Sequence, residues 1–192
     1  VGLLALPVAA SPVQKVAHVP ISGGRQTVVY LGPAAPKAIA LLFTGGDGRL
    51  KIGTDGKIGQ GGNFLIRTRD MWVERGIAVV IPDVPSGYGT LFNRRDSAEY
   101  ADAIARLVAF AKSQADVPVW LIGTSQGTNA ASNGGGRMTH GEIAGVVLTS
   151  TSTQSGSSPQ FRETVFDNSL GAINVPVLIV SHSADSCVQT PP

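Results

Sequence analysis

Short apolar stretches alternate with amphipathic ones along most of this chain. Continuous apolar runs of this length predict strands that are covered on both faces of a sheet, and they occupy residues 37–43, 77–82, 119–122, 143–149 and 176–181. Two shorter strand candidates near the start, residues 16–21 and 26–31, are separated by Ser22-Gly23-Gly24, which suits a hairpin turn.

Helical spacing appears between several of these runs. The clearest helix spans Ser97 to Ala115, and Asp96 followed by Glu99 is a capping-box-like start for it. Asn63 is a plausible N-cap for another helix, and three successive glycines at 134–136 are expected to end a third. Strands that alternate with helices indicate a mostly parallel sheet with right-handed crossovers.

The motif Gly123-Thr124-Ser125-Gln126-Gly127 directly follows the strand at 119–122 and precedes small residues that suit a helix. A serine on a sharp strand-to-helix turn needs flanking residues without side chains, so that strand and helix can approach closely. This context predicts Ser125 as a nucleophile. The alternative is a Gly/Ser loop that only joins two elements.

A nucleophilic serine also needs hydrogen-bond donors for the negative charge that develops on its substrate. The N–H of Gln126, at the start of the following helix, is one candidate. The second candidate comes from the loop 44–48 after the strand at 37–43, where we favour Gly46, with Asp47 next. The alternative for this loop is a simple strand-to-loop turn.

Asp185 follows the last strand and is the candidate acid of a catalytic triad, because the carboxyl ends of parallel strands share one edge of a sheet. The alternative is an aspartate that caps a loop, and Asp83 is the reserve acid. The base is harder to place, since His18, His140 and His182 are the three histidines and none follows Asp185. His182 is the candidate within the chain, although it leaves the same strand as the acid and must reach across to Ser125.

Composition narrows the class of protein. A chain of 192 residues with 15% charged residues and 24 glycines indicates one compact α/β domain, and a net charge of +2 with scattered Lys and Arg predicts no nucleic-acid partner. No His, Cys or Asp cluster has metal-ligand spacing, so we expect no metal and no organic cofactor.

Residues 1–10 are apolar and end in small residues, as the remnant of a secretory signal peptide does. The stretch is too short to span a bilayer, so we expect no stable membrane anchor and a secreted or periplasmic protein. An apolar N-terminal arm is the alternative. Cys187 is the single cysteine, which predicts either a partner outside this sequence or a small buried thiol.

Together these residues resemble the α/β-hydrolase superfamily, in particular bacterial exported hydrolases related to dienelactone hydrolase. The resemblance covers most of residues 16 to 192, and its most specific part is the segment from Pro118 to Thr128. It implies an α/β-hydrolase fold over residues 11–192, with a mostly parallel central sheet, helices on both faces, Ser125 as nucleophile and Asp185 as acid. Dienelactone hydrolase itself carries cysteine where this chain has Ser125, so its substrate is not carried over.

Such proteins continue past the acid through a helix and a final strand to the catalytic histidine. The resemblance therefore implies a chain truncated at both ends, a base outside it, a Cys187 that pairs with a later cysteine, and an exposed apolar strand at 176–181. The expected function is serine hydrolysis of a small ester or related acyl substrate. The alternatives are an inactive hydrolase-like binding protein and an acyltransferase that uses the same serine.

Overall fold

The computed structural model describes residues 11–139 and 141–192, and it contains a seven-stranded sheet in the order β1-β2-β4-β3-β5-β6-β7. The strands are β1 (Val13–Ile21), β2 (Gly24–Gly32), β3 (Ala38–Phe43), β4 (Ile77–Pro82), β5 (Val119–Ser125), β6 (Gly145–Thr151) and β7 (Val177–Val180). The β1–β2 hairpin is antiparallel and joins β4 antiparallel, whereas all other neighbours are parallel. The predicted hairpin and mostly parallel sheet are confirmed.

Helices cover both faces of this sheet, as predicted. They are α1 (Phe64–Arg67), α2 (Arg69–Glu74), α3 (Ala98–Gln114) and α4 (Gly127–Arg137). Buried side chains of α3 and α4 pack in one apolar cluster, and those of α1 and α2 pack in a second cluster. The proposed signal remnant at 1–10 and His140 lie outside the described residues.

Two helix starts differ from the sequence prediction. Ser97, and not Asp96, is the N-cap of α3, because its hydroxyl accepts the N–H of Tyr100. Asn63 caps α1 as expected, but the helix is interrupted at Thr68 and resumes as α2. The Thr68 hydroxyl donates to the carbonyl of Phe64, the local side-chain bond that competes with a continuous helix.

The prediction that glycines 134–136 end α4 is wrong, since the helix continues to Arg137. Each glycine lies where the helix touches a neighbour. A Cβ on Gly134 would lie 2.8 Å from Ile104 and Leu121 side-chain atoms, and one on Gly136 would lie 2.7 Å from the Ser169 carbonyl oxygen. These glycines therefore permit close packing of α4, which outweighs their low helix propensity.

The edge strand β7 is exposed, as expected from the sequence. Its four side chains, Val177 to Val180, are 44–63% accessible to solvent. Because β5 lies between β3 and β6, it occupies the interior of the sheet with its carboxyl end toward loops from both neighbours. Among the described residues, no helix is long and apolar enough to cross a membrane.

Candidate active site

Ser125 lies at the end of β5 in a backbone conformation that is rare for residues with a side chain, with φ at 52°. The two flanking glycines make this turn possible. A Cβ on Gly123 would overlap the carbonyl of Gly127, and a Cβ on Gly127 would overlap the carbonyl of Phe43 on β3. Backbone from β3, β5 and α4 thus meets directly around Ser125.

The loop after β3 lies against this turn. A Cβ on Gly45 would be 3.0 Å from the Cβ of Ser125 and 3.5 Å from its Oγ. Gly46 has φ at 60°. Within residues 11–139 and 141–192, the backbone N–H groups of Gly46, Asp47 and Gln126 donate to no protein acceptor. The structure therefore brings all three predicted donors to the neighbourhood of Ser125 with their hydrogens unused.

A buried polar network links the start of α4 to the loop after β6. The Gln126 side chain, 1% exposed, donates from Nε2 to the Ser152 hydroxyl at 3.0 Å. The Thr128 hydroxyl donates to the Ser125 carbonyl at 2.6 Å and accepts the N–H of Ser152 at 3.1 Å. Because the side chains of Gln126, Thr128 and Ser152 all take part in these bonds, they fix the turn relative to the loop after β6.

Asp185 follows β7 at the same sheet edge as Ser125, and β7 lies two strands from β5, a separation of the strands of about 10 Å at ordinary spacing. Its Oδ1 accepts the N–H of Cys187 at 3.0 Å, and its Oδ2 accepts the Thr190 hydroxyl at 3.1 Å. The Cys187 N–H bond and the other donors hold the pKa of Asp185 below its usual value. Its carboxylate is therefore kept ionised and oriented.

Neither described histidine is hydrogen-bonded to Ser125. Nδ1 of His182 accepts the N–H of Ala184 within its own exposed turn, while Nδ1 of His18 is 3.1 Å from the Thr27 hydroxyl on the β1–β2 hairpin. Among residues 11–139 and 141–192, no side chain is hydrogen-bonded to Oγ of Ser125. His182 and Ser125 are therefore not hydrogen-bonded to each other.

The reserve acid Asp83 holds a loop in place. Its carboxylate accepts the N–H groups of Leu50, Ile52 and Val84 at 2.8–2.9 Å. Two of these donors, Leu50 and Ile52, anchor the segment after the β3 loop to Asp83, and Leu50 is buried. Cys187 is exposed, so the alternative of a buried thiol is wrong.

Sequence reasoning missed a buried pair, Arg95 and Glu163, that lies beside the β3 loop. Both side chains are almost inaccessible, at 0% and 3% exposure. Burial is the main cause that raises the pKa of Glu163 to about 7, and burial lowers the pKa of Arg95. The N–H of Arg95 donates to Oε1 of Glu163 at 2.6 Å, whereas Oε2 is buried without a hydrogen-bond partner. Arg95 is buried and its neighbour Arg94 is exposed, a difference that the sequence does not show and only the folded structure reveals.

Replacement of Glu163 by Gln is expected to change how stability depends on pH. With a native pKa of about 7 against 4.5 in the unfolded chain, native Glu163 keeps its proton while the unfolded chain releases it. The contribution of Glu163 to the free energy of unfolding is therefore fully present below pH 4.5. It is lost as pH rises from 4.5 through 7, which lowers the free energy of unfolding by about 3 kcal/mol. The charges that act on Glu163 are those of Arg95 and Asp96.

The measurement is the free energy of unfolding in urea as a function of pH for wild type, Glu163→Gln and the control Glu74→Gln, an exposed residue of α2. We expect Glu163→Gln to lose most of the decline between pH 4.5 and 7, and the control to keep it. Equal declines in wild type and Glu163→Gln would contradict the assignment of this titration to Glu163.

A cavity of about 500 Å³ opens beside Asp47, between the loop after β4 and the loop after β6. The Phe92 and Phe161 rings pack edge to face at 5.1 Å, and the Asn93 amide donates to the Pro159 carbonyl at 2.8 Å. These contacts join the two loops and form one wall of the cavity. In the described part of the chain, no group of three His, Cys, Asp or Glu side chains is arranged to hold a metal ion.

The arrangement of strands and helices is similar to that of several solved structures. A cold-adapted esterase from an Arctic intertidal metagenomic library matches 92% of this chain and 76% of its own length, with a TM-score of 0.64 and 16% identity. An α/β serine hydrolase without a lid from Xanthomonas campestris matches 99% and 78%, with a TM-score of 0.63 and 14% identity. A dienelactone hydrolase from Anabaena variabilis matches 89% and 86%, with a TM-score of 0.60 and 12% identity.

The chain has the α/β-hydrolase fold. No family model matches the sequence, and no curated protein resembles it at the level of sequence. At these low identities the likeness concerns the fold alone. In an α/β-hydrolase fold, the turn that carries Ser125 lies at the sheet edge where ligands bind, which is where the Asp47 cavity opens.

Proposed function

We propose that this protein is a serine hydrolase that cleaves an ester or related acyl bond through an acyl-enzyme on Ser125. The observation that carries the proposal is the positive-φ turn of Ser125, closed on both sides by glycines that cannot accept a Cβ. Strain of this kind persists only where the surrounding structure enforces it, and it is characteristic of functional sites. Within the part of the chain that the structure describes, the hydroxyl has no hydrogen-bond partner, and a Cβ on Gly45 would lie 3.5 Å from its oxygen.

In the proposed reaction, Oγ of Ser125 adds to the acyl carbon while a base takes its proton. The charge that forms on the acyl oxygen is stabilised by the N–H of Gln126, helped by the positive end of the α4 dipole, and by an N–H from Gly46 or Asp47. Collapse of this intermediate expels the alcohol, which takes the proton from the base. Water then attacks the acyl-enzyme and restores Ser125.

The proposed acid is Asp185, which would orient the base from two strands away. Its Oδ1 accepts the N–H of Cys187 and its Oδ2 accepts the Thr190 hydroxyl, and a carboxylate oxygen has room for a second hydrogen bond. For the base, His182 is the candidate among the described residues, and its Nδ1 is engaged within its own turn. The expectation that the base lies outside the printed residues stays a prediction.

Asp185→Asn tests the acid role in the gene product that contains these residues. An amide retains the shape of the side chain but cannot stabilise a charged base, so kcat is expected to fall by about 10⁴-fold. The assay is hydrolysis of small p-nitrophenyl esters, with thermal unfolding to verify the fold. The control Asp116→Asn lies before β5, at the opposite edge of the sheet, and should leave kcat unchanged.

If Asp185→Asn keeps full activity, the acid assignment is wrong, although a serine mechanism remains testable at Ser125.

The Asp47 cavity is the proposed site for one side of the substrate, since it opens next to a candidate oxyanion donor. Its size of about 500 Å³ lies in the range of small-molecule sites. We therefore also propose that the substrate is a small molecule.

A further inference from the structure

The guanidinium of Arg95 is fully buried and is held by carbonyl groups. Its NH2 nitrogen donates to the carbonyls of Gly46 at 2.8 Å and Thr44 at 3.3 Å, and its NH1 nitrogen donates to the carbonyl of Leu91 at 3.2 Å. Among the described residues, it forms no ion pair with a carboxylate within 4.0 Å. A buried cation without a carboxylate in direct contact is costly, although the charges of Glu163 and Asp47 act on Arg95 from beyond that distance.

The carbonyls that Arg95 binds belong to the loop beside Ser125. In a trans peptide the C=O and the following N–H point in opposite directions, and no peptide of the described residues is cis. When the Thr44 and Gly46 carbonyls point to the guanidinium, the N–H groups of Gly45 and Asp47 point away from it. Among the described residues, the N–H of Asp47 donates to no protein acceptor.

This loop needs an external hold, because consecutive glycines populate many backbone conformations. Gly46 has φ at 60°, and a Cβ there would meet nothing within 4 Å, so the space on that side of the residue is open. The loop is bound at the Asp47 carbonyl, which accepts the N–H of Leu91 at 2.9 Å, and at the Thr44 and Gly46 carbonyls, which accept from Arg95. A flip of the peptide between Gly46 and Asp47 would replace the N–H by a carbonyl oxygen. A carbonyl oxygen at that place repels a developing oxyanion.

Arg95 is itself anchored on both sides. Its N–H donates to Oε1 of Glu163 at 2.6 Å, and its carbonyl accepts from Nδ2 of Asn133 at 2.7 Å. Asn133 lies on α4, the helix that starts beside Ser125. The guanidinium is therefore fixed relative to the same helix that positions the Gln126 N–H.

We propose that Arg95 is a positioning residue that orients the peptide groups of the loop 44–47 so that the Asp47 N–H serves as the second oxyanion donor. This catalytic consequence rests on the proposed function, whereas the hold on the loop does not. Gly46, the donor favoured from sequence, then supplies the carbonyl through which Arg95 acts.

The test compares Arg95→Lys with Arg94→Lys in the gene product that contains these residues. Lysine keeps the positive charge, but a single ammonium cannot reproduce the fork that binds both loops. Arg94 is the matched control, an exposed neighbour whose guanidinium packs over the Tyr88 ring at 4.8 Å. Two quantities are measured: kcat and KM with p-nitrophenyl esters, and backbone NMR order parameters of Gly46 and Asp47.

In Arg95→Lys we expect kcat to fall by about 10- to 100-fold with KM almost unchanged, because an oxyanion donor acts in the transition state. The order parameters of Gly46 and Asp47 should fall from about 0.85 to below about 0.6, while those of α3 stay high. Arg94→Lys should match wild type in both. A merely structural role would lower the fraction of active protein without this local loosening.

Unchanged order parameters at Gly46 and Asp47 in Arg95→Lys would overturn the inference, whatever the activity. Loosened amides with unchanged kcat would also overturn it, since the loop would then be irrelevant to the reaction. If wild type itself hydrolyses no ester, the proposed function fails, and the order parameters alone decide whether Arg95 holds the loop.

Discussion

Ser125→Ala is expected to abolish ester hydrolysis, with a loss of kcat on the order of 10⁶-fold, because the chemical step has no other nucleophile. The same change should alter the free energy of unfolding by no more than about 0.5 kcal/mol. Within the described residues Oγ donates to no protein acceptor, and alanine leaves the turn between Gly123 and Gly127 as it is. Activity and stability are thus expected to separate.

The measurement is p-nitrophenyl ester turnover and urea unfolding of both proteins. Ser113→Ala, an exposed serine near the end of α3, is the control and should behave as wild type in both assays. Turnover that survives in Ser125→Ala would refute the acyl-enzyme proposal, and it would direct attention to another nucleophile.

Gly127→Ala is expected to destabilise the protein by more than about 3 kcal/mol, above the usual cost of an added methyl in a packed core. The new Cβ would overlap the Phe43 carbonyl and lie 2.8 Å from the Thr44 carbonyl oxygen. Both are backbone atoms of the sheet and of the loop beside Ser125, so neither can rotate out of the way. Relief of the overlap requires α4 to move away from β3.

The control for this change is Gly89→Ala, since a Cβ there meets nothing within 4 Å and its backbone does not need glycine. Its free energy of unfolding should stay within about 0.5 kcal/mol of wild type. A Gly127→Ala protein as stable as the control would mean that strand and helix are not in direct backbone contact at this turn.

The sequence alone was sufficient to predict the strand-to-helix turn at Ser125 and the hairpin, because both are encoded by local patterns. Close backbone approach demands glycine at 123 and 127, so the motif and the observed overlap have the same cause. Hydrophobic runs likewise predicted the strands, since strands covered on both faces have no polar positions.

What the sequence did not reveal depends on distant parts of the chain meeting. Arg95 looks like Arg94 in sequence, and only the packed loops bury one while the other stays exposed. Glycines 134–136 follow a helix-ending pattern locally, but tertiary contacts with Ile104 and Leu121 decide their role. For Arg95 and for glycines 134–136, packing between elements far apart in the sequence decides the outcome, and local sequence patterns do not.

The most direct test of the central claim is covalent labelling with a serine-directed fluorophosphonate, followed by peptide mapping of the adduct. The account predicts one adduct on Ser125 in the gene product that contains these residues, and none in Ser125→Ala. A gene product that remains unlabelled, or carries its adduct on a different residue, would contradict the proposal that Ser125 is the nucleophile.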